Sequence, residues 1–98
     1  MDKRYTALTP IEQNQLRREL MERLTASPDL PIPKVIREIR KTLRLTIPEY
    51  ATICDVSPRT LQDIEREVSS PTLETVEKLL RPMGMTAGAV QAARPSNN

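Results

Sequence analysis

Residues 47–64, IPEYATICDVSPRTLQDI, constrain this chain more than any other stretch, because their apolar positions fit no single straight helix. Tyr50, Cys54, Val56, Leu61 and Ile64 converge only if two short helices meet at a tight turn near Asp55, with small Ala51 at the crossing. The second helix declares its start at Ser57-Pro58. Ser accepts bonds from the first free amides, and Pro fits the first helical position, where a missing N–H loses no partner. This helix presents Pro58, Arg59, Gln62, Asp63 and Arg66 outward. The first helix carries a capping box in Thr46-Ile47-Pro48-Glu49, so both starts and the turn are encoded locally.

A chain of 98 residues builds one small domain with appendages, burying roughly two-thirds of its surface. With no Phe or Trp and two Tyr, the core must be Ile, Leu, Val, Met and Ala, and base-stacking platforms for single-stranded nucleic acid are not expected. Duplex recognition stays open. The single Cys54 lies on the inward face of its helix and reads as a packing residue; one cysteine builds no disulfide framework. Catalysis lacks its parts: there is no His, no glycine-rich phosphate loop and no Cys or carboxylate cluster at metal spacing, while Ser57 is explained as a cap. No enzyme activity, metal or cofactor is expected. No apolar run approaches the roughly 20 residues of a membrane span, and Met1-Asp2-Lys3-Arg4 leads into no signal-peptide core. The expectation is a cytoplasmic protein that makes no membrane contact.

In chain order, residues 1–8 are expected to fray, and Thr9-Pro10-Ile11-Glu12 forms another capping box that opens a helix over 10–24. Leu16, Leu20 and Leu24, broadened by Ile11 and Met21, give this helix an apolar stripe. TASPDLPIP, residues 25–33, reads as a stiff extended connector with Leu30 and Ile32 as anchors. A helix over 34–43 puts Ile36, Ile39 and Leu43 on one arc and Lys34, Arg37, Lys41 and Arg44 nearly opposite, with Arg40 at the edge of the packing face. Residues 31–44 carry five basic groups and one acidic group, against a net charge of +2 for the chain. Beyond the two central helices, 67–70 reads as a loop. Pro71-Thr72 opens a last core helix with Leu73, Val76, Leu79 and Leu80, which Pro82 ends and Gly84 caps. Residues 86–93 form a weak extra element, and 94–98 are expected to be disordered.

The order Ile36, Arg40, Leu43, Leu45, Tyr50-Ala51, Cys54, Val56-Ser57, Leu61, Ile64-Glu65, Pro71 and Leu73 resembles the Cro/cI-type (XRE) helix-turn-helix family over residues 35–85. The resemblance implies an all-α fold: a compact five-helix, lambda-repressor-like domain over 34–85, with an additional amphipathic helix and Pro-rich connector in 1–33 and an extension in 86–98. It further implies that Arg40 pairs with Glu65, and that Ser57, Pro58, Arg59, Gln62 and Asp63 lie in or beside the major groove. The outward geometry of an N-capped helix points the same way and adds Thr60 and Arg66. Arg37, Lys41 and Arg44 would then meet phosphates. Three positions depart from the family pattern. Ile47 replaces a phosphate-contacting Gln, and Asp55 and Glu67 replace glycines. Residues 45–70 also hold five acidic and two basic groups, an adverse balance near phosphates.

What the resemblance implies functionally is a sequence-specific double-stranded-DNA-binding repressor acting as a homodimer on an inverted repeat, with the apolar region 83–90 as the dimer contact. Within that reading the chain is similar to HipB-like and HigA-like antitoxins, which repress their own operon and bind a cognate toxin. The alternatives are a phage-type or stand-alone regulator, or a protein-interaction module that has kept the fold and lost DNA. Leu16, Leu20, Met21 and Leu24 form a candidate partner surface. That stripe can fold back on its own domain, cross a dimer axis, or receive a toxin.

Overall fold

The computed structural model describes residues 8–91. In order these form α1 (Pro10–Ala26), α2 (Ile32–Thr42), α3 (Ile47–Cys54), α4 (Pro58–Glu65) and α5 (Leu73–Leu80), followed by a 3-10 turn, Arg81–Met83. No strand occurs among the described residues, and the fold is all-α and lambda-repressor-like. The fifth helix of the domain is present only as that 3-10 turn, because Pro82 cannot continue α5.

The helix boundaries reuse two local devices. Thr9, Thr46, Ser57 and Thr72 precede α1, α3, α4 and α5, and each hydroxyl accepts the amide three residues on, at 3.1, 3.2, 3.0 and 3.2 Å. Glu12 and Glu49 return the bond to the amides of Thr9 and Thr46. At the other ends, Arg44, Asp55, Glu67 and Gly84 all adopt left-handed backbone, with φ of 58°, 61°, 60° and 68°. In each case the next amide reaches back five residues: Leu45 to Arg40, Val56 to Ala51, Val68 to Asp63 and Met85 to Leu80. These are Schellman closures. Leu45, Val56 and Met85 then pack against the core, whereas Val68 stays exposed.

The connector over 25–33 is a turn, not an extended strap. α1 continues to Ala26, Leu30 N–H bonds Ser27 C=O at 3.1 Å, and α2 begins at Ile32 with Pro33 inside its first turn. Proline is tolerated there because that N–H would have no helical partner, so the same prolines end one helix and start the next. The chain reverses within residues 27–31, and α1 folds back onto α2. Leu20 is 0% exposed and Leu24 6%, both in one cluster with Ile36, Ile39, Tyr50, Leu61, Ile64 and Leu79. The expected partner surface is thereby corrected. Leu20 and Leu24 are core of the chain's own domain, Met21 packs against that core, and Leu16 is half-buried. Arg17 fastens α1 further by donating from Nη2 to the Pro82 carbonyl at 2.7 Å.

Tyr50 sits at the centre, fully buried, its hydroxyl donating to Leu79 C=O at 2.5 Å. Burial raises its pKa above the usual phenol value, and burial likewise raises that of the neighbouring Cys54 thiol. Leu73, expected in the core, is 67% exposed: the stripe of α5 reaches the interior only from Val76 onward. Residues 86–91 form no regular element, and the remainder of the expected 86–93 element lies outside the described residues. Instead, the Glu77 carboxylate accepts from Thr86 Oγ1 and the Ala87 amide, each at 2.9 Å, tying this segment to α5. The region 83–90 is accordingly no free apolar face. Met83 is buried, Met85 and Ala87 pack against the core, and Val90 is exposed. The frayed start and disordered tail expected at 1–8 and 94–98 fall, apart from Leu8, outside the described residues.

Candidate nucleic-acid interface

α4 is held from behind. Leu61 and Ile64 are fully buried, and their helix packs on both α3 and α2. A helix seated by one face has little freedom to roll, so the other face is presented in a fixed orientation. Pro58, Arg59, Gln62 and Arg66 are exposed on it, Arg59 with 81% of its side chain in solvent. Ser57 and Thr60 are engaged in the cap. Ser57 Oγ accepts the Thr60 amide at 3.0 Å and bonds Thr60 Oγ1 at 2.8 Å. Their hydroxyls sit at the amino end of α4, where the helix dipole favours an anion.

Asp63 does not stand alone. Its Oδ2 accepts from Arg59 Nε at 3.2 Å, an i,i+4 pair along the exposed face. Such an exposed pair contributes only about 0.3 to 0.5 kcal/mol, so it orients Arg59 without locking it. The bond uses Nε and leaves the two terminal nitrogens of the guanidinium available as a fork. The i,i+4 spacing of 59 and 63 is visible in the sequence, which by itself does not say that the two pair.

The seat of α4 is fixed by a buried ion pair. Arg40 donates from Nε to Glu65 Oε2 at 2.7 Å and from Nη2 to Oε1 at 2.9 Å, and its Nη1 donates to Leu45 C=O at 2.9 Å. One guanidinium thus joins α2, the end of α4 and the turn into α3. Only 10% of the Arg40 side chain and 7% of the Glu65 side chain are exposed. No buried side-chain polar atom among the described residues lacks a partner.

Arg37 and Lys41 are exposed on α2, and Arg44 is exposed at its left-handed end. Arg37 also lines an open cleft between α2 and α4, together with Ile47, Gln62 and Arg66. Two of the acidic groups of 45–70 are already engaged, Glu65 by Arg40 and Asp63 by Arg59, while Asp55 faces Lys78 at 3.8 Å. Sequence reasoning missed the Arg17–Pro82 bond and the grip of Glu77 on Thr86 and Ala87. Both depend on contacts between elements that carry no periodic signature. Among the described residues no cluster of His, Cys, Asp and Glu could hold a metal ion, and no helix is long and apolar enough to cross a membrane.

Residues 36–89, more than half of the chain, match a family model described as Helix-turn-helix. No curated protein and no solved structure matches the chain.

Proposed function

The chain belongs to the helix-turn-helix family of DNA-binding regulators, and from that premise we propose that it is a sequence-specific repressor that places α4 in the major groove of duplex DNA. In this reading Arg59, steered by Asp63, forks onto a guanine, Gln62 reads a neighbouring base edge, and Ser57, Pro58 and Thr60 face the groove wall. Arg37, Lys41, Arg44 and Arg66 contact phosphates and set the register. Residues 34–85 supply the DNA-contacting unit, resting on a core that also takes in Leu20 and Leu24 of α1. The observation that carries the proposal is the contrast across α4: Leu61 and Ile64 at 0% exposure behind, Arg59 at 81% in front.

One recognition helix reads only a few base pairs, so the functional species is a homodimer on an inverted repeat with half-sites about 34 Å apart. The finer reading is an autoregulatory antitoxin that also binds a toxin. Its support is the resemblance to HipB-like and HigA-like proteins; because Leu20 and Leu24 lie in the core, a toxin would use a surface other than the α1 stripe. Selection of bound duplexes from a random pool tests the DNA reading. One enriched inverted repeat is expected, with its preference relaxed at one base position in Arg59→Ala; no enrichment and no binding at low salt would refute it. Co-expression with the product of the adjacent gene tests the antitoxin role: rescue of growth and co-purification support it, and the absence of both rejects it.

A further inference from the structure

Arg37 lines two clefts at once. The first lies between α2 and α4 beside Gln62, Arg66 and Glu67, with the paired Arg40 and Glu65 at its wall. The second, an open cleft of about 450 Å³ between α1 and α2, also takes in Arg23, Ser27, Lys34, Glu38 and Lys41. A basic track therefore runs from α4, across α2, to α1. In the second cleft four cations face the single carboxylate of Glu38, which Arg23 Nη2 approaches at 3.5 Å with both side chains about half exposed. The side chains of Lys34, Arg37 and Lys41 make no hydrogen bond or ion pair among the described residues. Like charges at i,i+3 and i,i+4 on one helix repel. Glu38, at i,i+4 from Lys34 and i,i+3 from Lys41, offsets part of this repulsion, and the four cations against one carboxylate leave an excess of positive charge complementary to an extended anion.

Its dimensions suit one. Lys34 and Lys41 are about 10 Å apart along the helix axis at 1.5 Å per residue, a length over which duplex DNA carries about six phosphate charges. We infer that the cleft between α1 and α2 binds backbone phosphates of duplex DNA flanking the bases read by α4, making α1 a DNA-contacting element through Arg23 and adding Lys34 at the start of α2. This rests on the DNA-binding reading above and extends the contact beyond residues 36–89 of the family match. It also answers the adverse charge of 45–70: a cleft with four cations and one carboxylate supplies the attraction that α3 and α4 lack.

The test is the salt dependence of binding by the full chain to a mixed-sequence duplex of about 30 base pairs, from about 50 to 200 mM salt. Each phosphate contact contributes about 0.9 to the slope of log K against log salt, roughly threefold in affinity over that range. Lys34→Gln is expected to lower the slope by about that amount, Arg23→Gln with Lys34→Gln by about twice as much, and Lys34→Arg to retain it. Glu38→Gln, which removes the opposing charge, should tighten binding about two- to threefold. Arg18→Gln, an exposed α1 arginine lining neither cleft, is the control and should match the wild type. Wild-type slopes for Lys34→Gln and the double variant, or an equal loss for Arg18→Gln, would overturn the inference while leaving the α4 reading intact if Arg59→Ala still weakens binding to the selected operator. Absence of binding by the wild-type chain to any duplex would overturn both.

Discussion

Replacing Glu65 by Ala leaves the Arg40 guanidinium in a site where only 10% of its side chain reaches solvent, with Leu45 C=O as its remaining partner in the triad described above. Two charge-assisted bonds of 2.7 and 2.9 Å are lost, yet the larger cost is the stranded charge. Breaking a buried pair from one side typically costs about 3 to 5 kcal/mol; the residual exposure of both groups places this pair near the lower end, at about 3 kcal/mol. For a domain of this size that is a large share of a total of about 5 to 15 kcal/mol, and on the order of 12 to 24 °C in melting temperature. Arg40→Met should cost a similar amount by stranding Glu65. The double variant Arg40→Met with Glu65→Leu should recover most of the loss, because two apolar side chains leave no unpaired charge. Urea melts followed by circular dichroism read all three. Single variants within about 0.5 kcal/mol of the wild type, or a double variant as unstable as the sum of the singles, would refute the reasoning.

Arg59→Ala should weaken the selected operator by about 1 to 3 kcal/mol and relax preference at one base position, whereas Asp63→Ala should cost less; quantitative binding to single-base operator variants measures both. Leu20→Ala, a cavity in the shared core, should destabilise by about 2 to 5 kcal/mol in urea, and an unchanged midpoint would show α1 detached in solution. Glu67→Gly, relieving a left-handed backbone on an exposed residue, should raise stability by about 0.5 to 1 kcal/mol in the same assay. The Glu77 carboxyl is held below its usual range, chiefly by the Ala87 amide and then by the Thr86 hydroxyl. Its folded pKa is lowered, so its contribution is present above the unfolded value and fades as pH falls through the folded one. The protection of the Ala87 amide, measured as exchange relative to the intrinsic rate at the same pH, should therefore fall as pH drops below the ordinary glutamate range, and Glu77→Gln should flatten that dependence.

The local grammar of this chain was legible because it is written in neighbouring residues. Capping residues, prolines in first turns and the Tyr50–Cys54–Leu61–Ile64 convergence act over a few positions, and the structure shows each of them. Asp55 and Glu67, departures from glycine in the sequence, still take left-handed backbone, because the Schellman bonds to Ala51 and Asp63 fix the turn whatever the side chain. What the sequence concealed was direction. Three prolines in TASPDLPIP read equally as an extended spacer or as a helix stop followed by a helix start, and only the burial of Leu20 and Leu24 against Ile36 and Leu79 separates the two. The exposure of Leu73 and the tethering of residues 86–87 by Glu77 were hidden for the same reason. Each depends on where an element ends relative to its neighbours in space, which a hydrophobic period does not encode.

The most direct measurement of the central claim is the amide chemical-shift perturbation of the full chain on titration with its selected duplex. The largest shifts are expected at 57–66, at the amino end and outer face of α4, with further shifts at Arg37, Lys41 and Arg44. Perturbations centred on α5 and residues 85–91, with the α4 amides unmoved, would contradict it.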